Sequence, residues 1–266
     1  MKISILASGS NGNSTLIETE NEGFLIDDGL SFKSLYERIS ATGNDVEKIS
    51  SLFLTHEHID HVSGVKVLLK RLPLMTYLSK GTFDGLNSET KLQLEISGYS
   101  YIKDNDVLEM KDCKITVLRT HHDAREPLGF VVEENDKKLV YITDTGYVDQ
   151  IYFPLLKNAD MYILESNYDV ELLWSSGRPF ELKKRIDGDY GHMSNVASAV
   201  LLSKVIGNNT KKIVFAHISD DCNYYAMPNL ILNEHKKIYE ELGVNYQQIE
   251  FYFGNRFGVT GVFEIW

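Results

Sequence analysis

The chain has 266 residues, 43% of them hydrophobic, enough for one large core or two small ones. Its formal net charge of −11, from 27 basic and 38 acidic side chains, argues against a protein that coats polyanions non-specifically. That balance still admits a nuclease, because bound cations can supply positive charge locally. No Pro-, Gly- or Ser-rich linker, no fixed repeat and no membrane-length apolar run interrupts the sequence, which predicts a single domain over 1–266. Cys113 and Cys222 lie far apart without CxxC spacing and read as thiols in a reducing compartment, although the spacing leaves a disulfide open. The apolar run Met1-Lys2-Ile3-Ser4-Ile5-Leu6 is too short for a signal peptide, so a cytoplasmic location is expected.

In chain order, Lys2–Ala7 reads as a strand. A turn, Ser8-Gly9-Ser10-Asn11-Gly12-Asn13-Ser14, follows it. This loop fits a plain hairpin connection or a phosphate cradle built from backbone N–H groups. Thr15–Glu18 and Gly23–Ile26 read as paired strands, ending in Asp27-Asp28-Gly29. One of these acids is a candidate to bond a metal-bound histidine; a plain turn acid is the alternative. Ser31 caps a helix expected from Phe32 to Ala41, closed by Gly43. The apolar run Ser51–Leu54 is a short strand, Val62–Leu72 a helix, Leu74–Leu78 a strand and Lys80–Gly85 a short helix. The pattern over 88–103 is ambiguous. Val107–Met110, Lys114–Arg119, Leu128–Glu133 and Leu139–Ile142 are successive strands, and Met161–Leu164 is another. The stretch 174–189 is rich in Arg, Lys, Gly and acids, and its Lys183-Lys184-Arg185 reads as a solvated helix face. Helices are expected over Val196–Val205 and Asn229–Leu242, and strands over Lys211–Ala216, Glu250–Phe253 and Gly261–Ile265.

The chemistry concentrates in Thr55–Gly64, T-H-E-H-I-D-H-V-S-G, which holds three of the eight histidines. The run begins where an apolar strand ends. Neutral imidazoles and carboxylates are ligands for zinc and similar metals. In an extended strand end His56 and His58 project to one side. Asp60 and His61 follow a turn, so the spacing suits two adjacent metals better than one. Polar residues recur at later strand ends: Thr120-His121-His122-Asp123, Thr143-Asp144-Thr145-Gly146, Glu165-Ser166-Asn167 and His217. His192, in Gly191-His192-Met193-Ser194-Asn195, stands just before a helix start. Capping alone accounts for Ser194 and Asn195.

The pattern H-x-H-x-D-H after an apolar strand resembles the signature of the metallo-β-lactamase fold superfamily, whose members are mostly metal-dependent hydrolases. That resemblance implies an α/β fold: an αβ/βα four-layer sandwich of two mixed β-sheets flanked by helices. It implies one metal on His56, His58 and His122, a second on Asp60, His61 and His217, and Asp144 bridging both. The ions would be Zn or Mn. His122 is preferred to His121 because His122-Asp123-Ala124 matches a narrower branch. That branch is the WalJ/YycJ family, which the chain resembles in L-A-S-G-S-N-G-N-S, H-H-D-A-R-E-P-L-G, T-D-T-G-Y, L-E-S-N and R-I-D-G-D-Y-G-H-M-S-N. The family is linked to a cell-wall two-component regulatory system in Gram-positive bacteria.

The branch implies a dinuclear metal-dependent phosphodiesterase, a 5′→3′ DNA exonuclease with a metal-bridging hydroxide as nucleophile. Asp60 would orient or deprotonate that nucleophile. His192 would donate a proton to the leaving oxygen, with Glu165 positioning it. Two alternatives are a small-molecule hydrolase (cyclic phosphodiesterase, thioesterase or lactonase) and a non-catalytic metal-dependent regulatory protein. The expected partner is a nucleic acid, not a membrane. Larger relatives insert a substrate-clamping domain after the bridging Asp. Asp144 and His192 are too close for one here, so substrate contact falls to the compact body, a partner or a homodimer mate. Glu57 receives no metal role and is expected to face away from the ions.

Overall fold

The computed structural model describes residues 1–224 and 227–265. Among the described residues fourteen strands fall into two mixed sheets of seven, flanked by helices. The chain divides into two compact units. Unit 1 comprises Met1–Arg119, Ala124–Lys137 and the segment from Asn255 onward; unit 2 comprises Thr120–Asp123 and Lys138–Gly254.

In unit 1, β1 (Lys2–Ala7), β2 (Ser14–Glu18) and β3 (Gly23–Ile26) form an antiparallel meander. The chain then crosses through α1 (Phe32–Ala41), whose N-cap Ser31 Oγ accepts from Ser34 N, to β4 (Ile49–Phe53), parallel to β3. Next come α2 (Ile59–Val62), α3 (Val65–Arg71), β5 (Met75–Leu78), α4 (Lys80–Gly85), α5 (Ser88–Ser97) and β6 (Tyr99–Tyr101). β5 and β6 extend the sheet in parallel. Parallel strands joined by crossovers all end at one sheet edge. That edge therefore receives Asp27 after β3 and Thr55–His56 after β4. Buried leucines from strands and helices, among them Leu25, Leu35, Leu52, Leu68 and Leu94, form one core cluster here. β7 (Val107–Glu109), β8 (Lys114–Arg119) and β9 (Leu128–Glu134) make an antiparallel ribbon.

In unit 2, β10 (Lys137–Ile142) leads through α6 (Phe153–Leu156) to β11 (Met161–Glu165). Then follow α7 (Val170–Ser175), α8 (Phe180–Ile186), α9 (Asn195–Val205), β12 (Lys212–Ala216), α10 (Pro228–Glu241) and β13 (Glu250–Phe253). β10 to β13 are mutually parallel, so Asp144, Glu165 and His217 leave one edge together. β14 (Gly261–Glu264) returns to pair antiparallel with β1.

One expectation changes. The single helix expected over Val62–Leu72 is two, α2 and α3, separated by Ser63 and Gly64. The break docks the chain: Gly64 N donates to the Asp28 carbonyl at 2.9 Å. A Cβ at Gly64 would lie 2.0 Å from the Leu30 carbonyl oxygen, so only glycine fits. The ambiguous 88–103 stretch holds α5 and β6, and the charged 174–189 stretch holds α8 and the end of α7. Among the described residues no helix is long and apolar enough to cross a membrane. Cys113 and Cys222 are both buried free thiols.

His235 on α10 is fully buried, its ring 4.2 Å from that of Phe215 and its Nε2 3.2 Å from Ser166 Oγ. Burial pushes its pKa down to about 3. The unfolded chain then binds more protons than the folded one between about pH 3 and the ordinary histidine value near 6.5. The stability this contributes is fully present above that ordinary value and is lost as pH falls through the window, by up to about 1.4 kcal/mol per pH unit. Comparing urea unfolding of the wild type and His235→Gln from pH 7 to 5 should give a shallower acid loss in the variant. Parallel curves would contradict the assignment.

Candidate metal centre

In unit 1 the strand-end histidines are organised by Asp27. This residue takes a left-handed backbone (φ 60°) immediately after β3 and is fully buried. Its Oδ1 accepts from Thr55 N and its Oδ2 from Thr55 Oγ1, both at 2.8 Å. His61 Nδ1 lies 2.7 Å from Asp27 Oδ2, and Thr55 Oγ1 lies 3.0 Å from His56 Nδ1. One carboxylate thus fixes the ring of His61 and, through Thr55, that of His56. Burial raises the Asp27 pKa, against the opposing pull of His61. The His56 ring centroid is 4.6 Å from that of His58 and 4.1 Å from that of His61, so three imidazoles converge.

Asp60 and His61 sit on the single turn of α2. The loop after β1 reaches them: Asn13 Nδ2 lies 3.2 Å from Asp60 Oδ2 and 3.0 Å from His61 Nε2, while Asn13 N donates to the Asp60 carbonyl at 2.8 Å. Gly29 allows this approach, since a Cβ there would lie 1.7 Å from that same carbonyl oxygen. Between the two readings of the Gly/Ser/Asn loop, its observed work is to grip α2. Asp28 is buried beside the same turn, and burial pushes its pKa up to about 7. Glu57 is engaged elsewhere, its Oε1 accepting from Arg125 N at 2.9 Å.

In unit 2 the ends of three parallel strands build a second cluster. Asp144 follows β10, Glu165 ends β11 and His217 follows β12; Asp144 and His217 both take left-handed backbones (φ 52° and 51°). Asp144 Oδ1 lies 3.1 Å from His217 Nδ1, 3.7 Å from His192 Nδ1 and 3.9 Å from His122 Nε2. Glu165 Oε1 lies 2.7 Å from His192 Nδ1 and 3.0 Å from His217 Nδ1. Its Oε2 accepts from Thr145 N at 2.8 Å. Burial works to raise the Glu165 pKa, but the charge and hydrogen bond of His192, with the bond from His217, hold it below the ordinary glutamate value. His122 Nδ1 donates to the Gly191 carbonyl at 2.8 Å, leaving the Nε2 lone pair on the Asp144 side. Burial lowers the His122 pKa and so favours the neutral, ligand-competent ring.

His121 turns to a different set of partners. Its ring stacks on Tyr147 at 4.0 Å and its Nε2 lies 2.7 Å from Asp149 Oδ2. Of the adjacent pair, His122 is the one beside Asp144. Asn13, Thr55, Asn167 and the Gly191 carbonyl are supporting groups that sequence reasoning missed. Asn167 Nδ2 donates to the His217 carbonyl at 2.6 Å. Asn and Thr next to turns carry no signal separating this work from turn formation.

The donor set fits a divalent metal. Asp144, Glu165, His192 and His217 each offer one ligand atom, all within 4.8 Å of one another. Two buried carboxylates among imidazoles would be costly without a cation. The unit 1 cluster offers the same donor chemistry, with Asp27 bonded behind His61 as carboxylates are behind metal-bound histidines.

Residues 23–218 match the model of a beta-lactamase superfamily domain. The structure superposes on the metallo-beta-lactamase fold protein YhfI from Bacillus subtilis with a TM-score of 0.70, at 16% identity and 99% coverage of both chains. Exodeoxyribonuclease WalJ of Streptococcus pneumoniae is 34% identical over 232 residues, 87% of this chain and 86% of that protein. Exodeoxyribonuclease YycJ of Bacillus anthracis is 32% identical over 270 residues, covering 100% of this chain and 94% of that one. The chain has the metallo-β-lactamase fold and is a metal-dependent hydrolase. Within that superfamily it belongs to the WalJ/YycJ family.

Asp27→Asn tests the supporting role directly, because Asn tolerates the left-handed backbone that Asp27 adopts. The variant should fold normally and bind Zn²⁺ or Mn²⁺ about 10–100-fold more weakly in chelator competition. Unchanged affinity would remove Asp27 from the metal centre.

Proposed function

We propose that the chain is a dinuclear metal-dependent phosphodiesterase that degrades DNA as a 5′→3′ exonuclease. The observation that carries this reading is the Glu165–His192 pair, 2.7 Å apart, beside Asp144 and His217. The relatives named exodeoxyribonucleases, at 32–34% identity over most of the chain, support DNA as the substrate. On this reading the two units act as one domain over 1–266, in a cytoplasmic protein. Family resemblance supports His56, His58 and His122 for one ion, Asp60, His61 and His217 for the other, and Asp144 for both.

Ions held there, Zn or Mn, would polarise a phosphoryl oxygen and lower the pKa of water. The remaining work falls to the chain. Asp60, oriented by Asn13, takes the proton from the attacking water. As the P–O bond to the leaving nucleotide breaks, His192 gives its proton to the departing oxygen. The Glu165 carboxylate, buried and held below its ordinary pKa, orients His192 through Nδ1. His192 is half-buried where the other imidazoles of its cluster are buried, which suits a group that must meet substrate.

On 5′-labelled duplex DNA, Asp144→Ala should abolish turnover while the circular dichroism spectrum is retained. His192→Ala should lower kcat about 10²–10⁴-fold, the usual worth of a general acid. An Asp144→Ala protein that cleaves phosphodiesters at the wild-type rate would end the two-metal reading.

A further inference from the structure

A cavity of about 410 Å³ in unit 1 is lined by Lys103, Asp104, Arg119, Arg125, Glu126 and Leu128. Three cations thus meet two acids in a chain whose net charge is −11. The cations come from separate places: Lys103 after β6, Arg119 at the end of β8, and Arg125 in the loop before β9. All three are exposed. Both acids accept further hydrogen bonds. Asp104 Oδ1 accepts from Arg119 N at 3.2 Å and its Oδ2 from Asn105 Nδ2 at 2.8 Å. Glu126 Oε2 accepts from Gly81 N at 2.8 Å.

The cavity is tied to the Thr55–His61 stretch by two backbone N–H groups of its lining residues. Arg125 N donates to Glu57 Oε1 and Leu128 N to the Thr55 carbonyl, both at 2.9 Å. α4 lies against this junction through two glycines one turn apart. A Cβ at Gly81 would be 2.4 Å from Glu126 Cβ, and one at Gly85 would be 2.5 Å from Glu57 Cγ. Glu57, which has no metal role, therefore fixes the loop that carries Arg125. Tyr101, the last residue of β6 and two before Lys103, is 46% exposed, with its ring edge-on to those of Phe83 and Tyr99 at 5.8 and 5.3 Å.

We propose that this cavity binds a backbone phosphate of single-stranded DNA and that Tyr101 stacks an adjacent unpaired base. The proposal rests on the nuclease reading for its choice of polymer. Cations that track phosphates, next to an exposed aromatic face, are the two components of single-strand recognition. A free anion would use the cations alone, and a paired base could not reach the ring.

The test measures anisotropy of a fluorescent single-stranded phosphorothioate oligonucleotide with the metal-loaded full chain over a range of salt. Lys103→Gln with Arg125→Gln should raise Kd at least about tenfold and flatten the log–log salt dependence by about 0.7 or more, the worth of one lost phosphate contact. Tyr101→Ala should weaken binding at least about fivefold, as loss of one stacked base does. A control pair of equal charge change, Lys33→Gln with Lys237→Gln, should stay within about twofold, because each charge lies outside the cavity. Equal Kd and slope in the cavity variant, or an equal loss in the control pair, would overturn the cavity. An unchanged Tyr101→Ala would overturn the stacking. Cleavage of the unmodified oligonucleotide by wild type is scored separately. Cavity-dependent binding without cleavage would sink the nuclease reading alone, whereas cleavage with cavity-independent binding would sink the cavity alone.

Discussion

Three parallel strands end the same way, in a non-glycine residue forced into the left-handed backbone region: Asp27 after β3, Asp144 after β10 and His217 after β12. Such a turn costs on the order of 1–3 kcal/mol and persists only where its surroundings over-determine it. Here the surroundings are hydrogen bonds: Thr55 and His61 around Asp27, and Asn167 with Glu165 around His217. The left-handed turn swings each side chain out of the strand's alternation and into a cluster of imidazoles and carboxylates. Chain direction at these three residues is thus the constraint on which both clusters depend.

Electrostatics explains why the arrangement implies a cation. Asp144 and Glu165 are both buried, and both approach the same two histidine nitrogens. Two like charges removed from water at one place are unfavourable unless positive charge joins them. In unit 1 the charge is more diluted: Asp27 and Asp28 are buried with raised pKa values, and Asp60 is only half-buried. The two clusters therefore divide labour within their own units. One presents imidazoles on a carboxylate scaffold, and the other presents carboxylates with a half-buried histidine at the edge.

Much of this was legible in the sequence because strands speak with period two. A polar residue straight after an apolar run marks a strand end, and H-x-H-x-D-H, His122, Asp144, Glu165 and His217 all announced themselves that way. The meander β1–β3, the cap at Ser31 and the helix α4 were equally readable from local pattern. What stayed hidden depends on tertiary contact. Nothing local separates Asp27 from Asp28; the bonds from Thr55 and the His61 ring distinguish them. Nothing local breaks the helix at Gly64, where the Leu30 carbonyl excludes any side chain. Asn13 looked like a turn residue and grips Asp60 across 47 positions of sequence. The choice of His122 over His121 came from family resemblance, and its physical counterpart is the Gly191 carbonyl on one ring against Asp149 on the other.

The central proposal is that this hydrolase works with a pair of divalent ions. Metal content of the purified chain after equilibration with Zn²⁺ or Mn²⁺ and removal of free ion tests it most directly. The account predicts two ions per chain, and fewer than one per chain in Asp144→Ala. A wild-type protein that saturates at a single ion, or binds none, would contradict it.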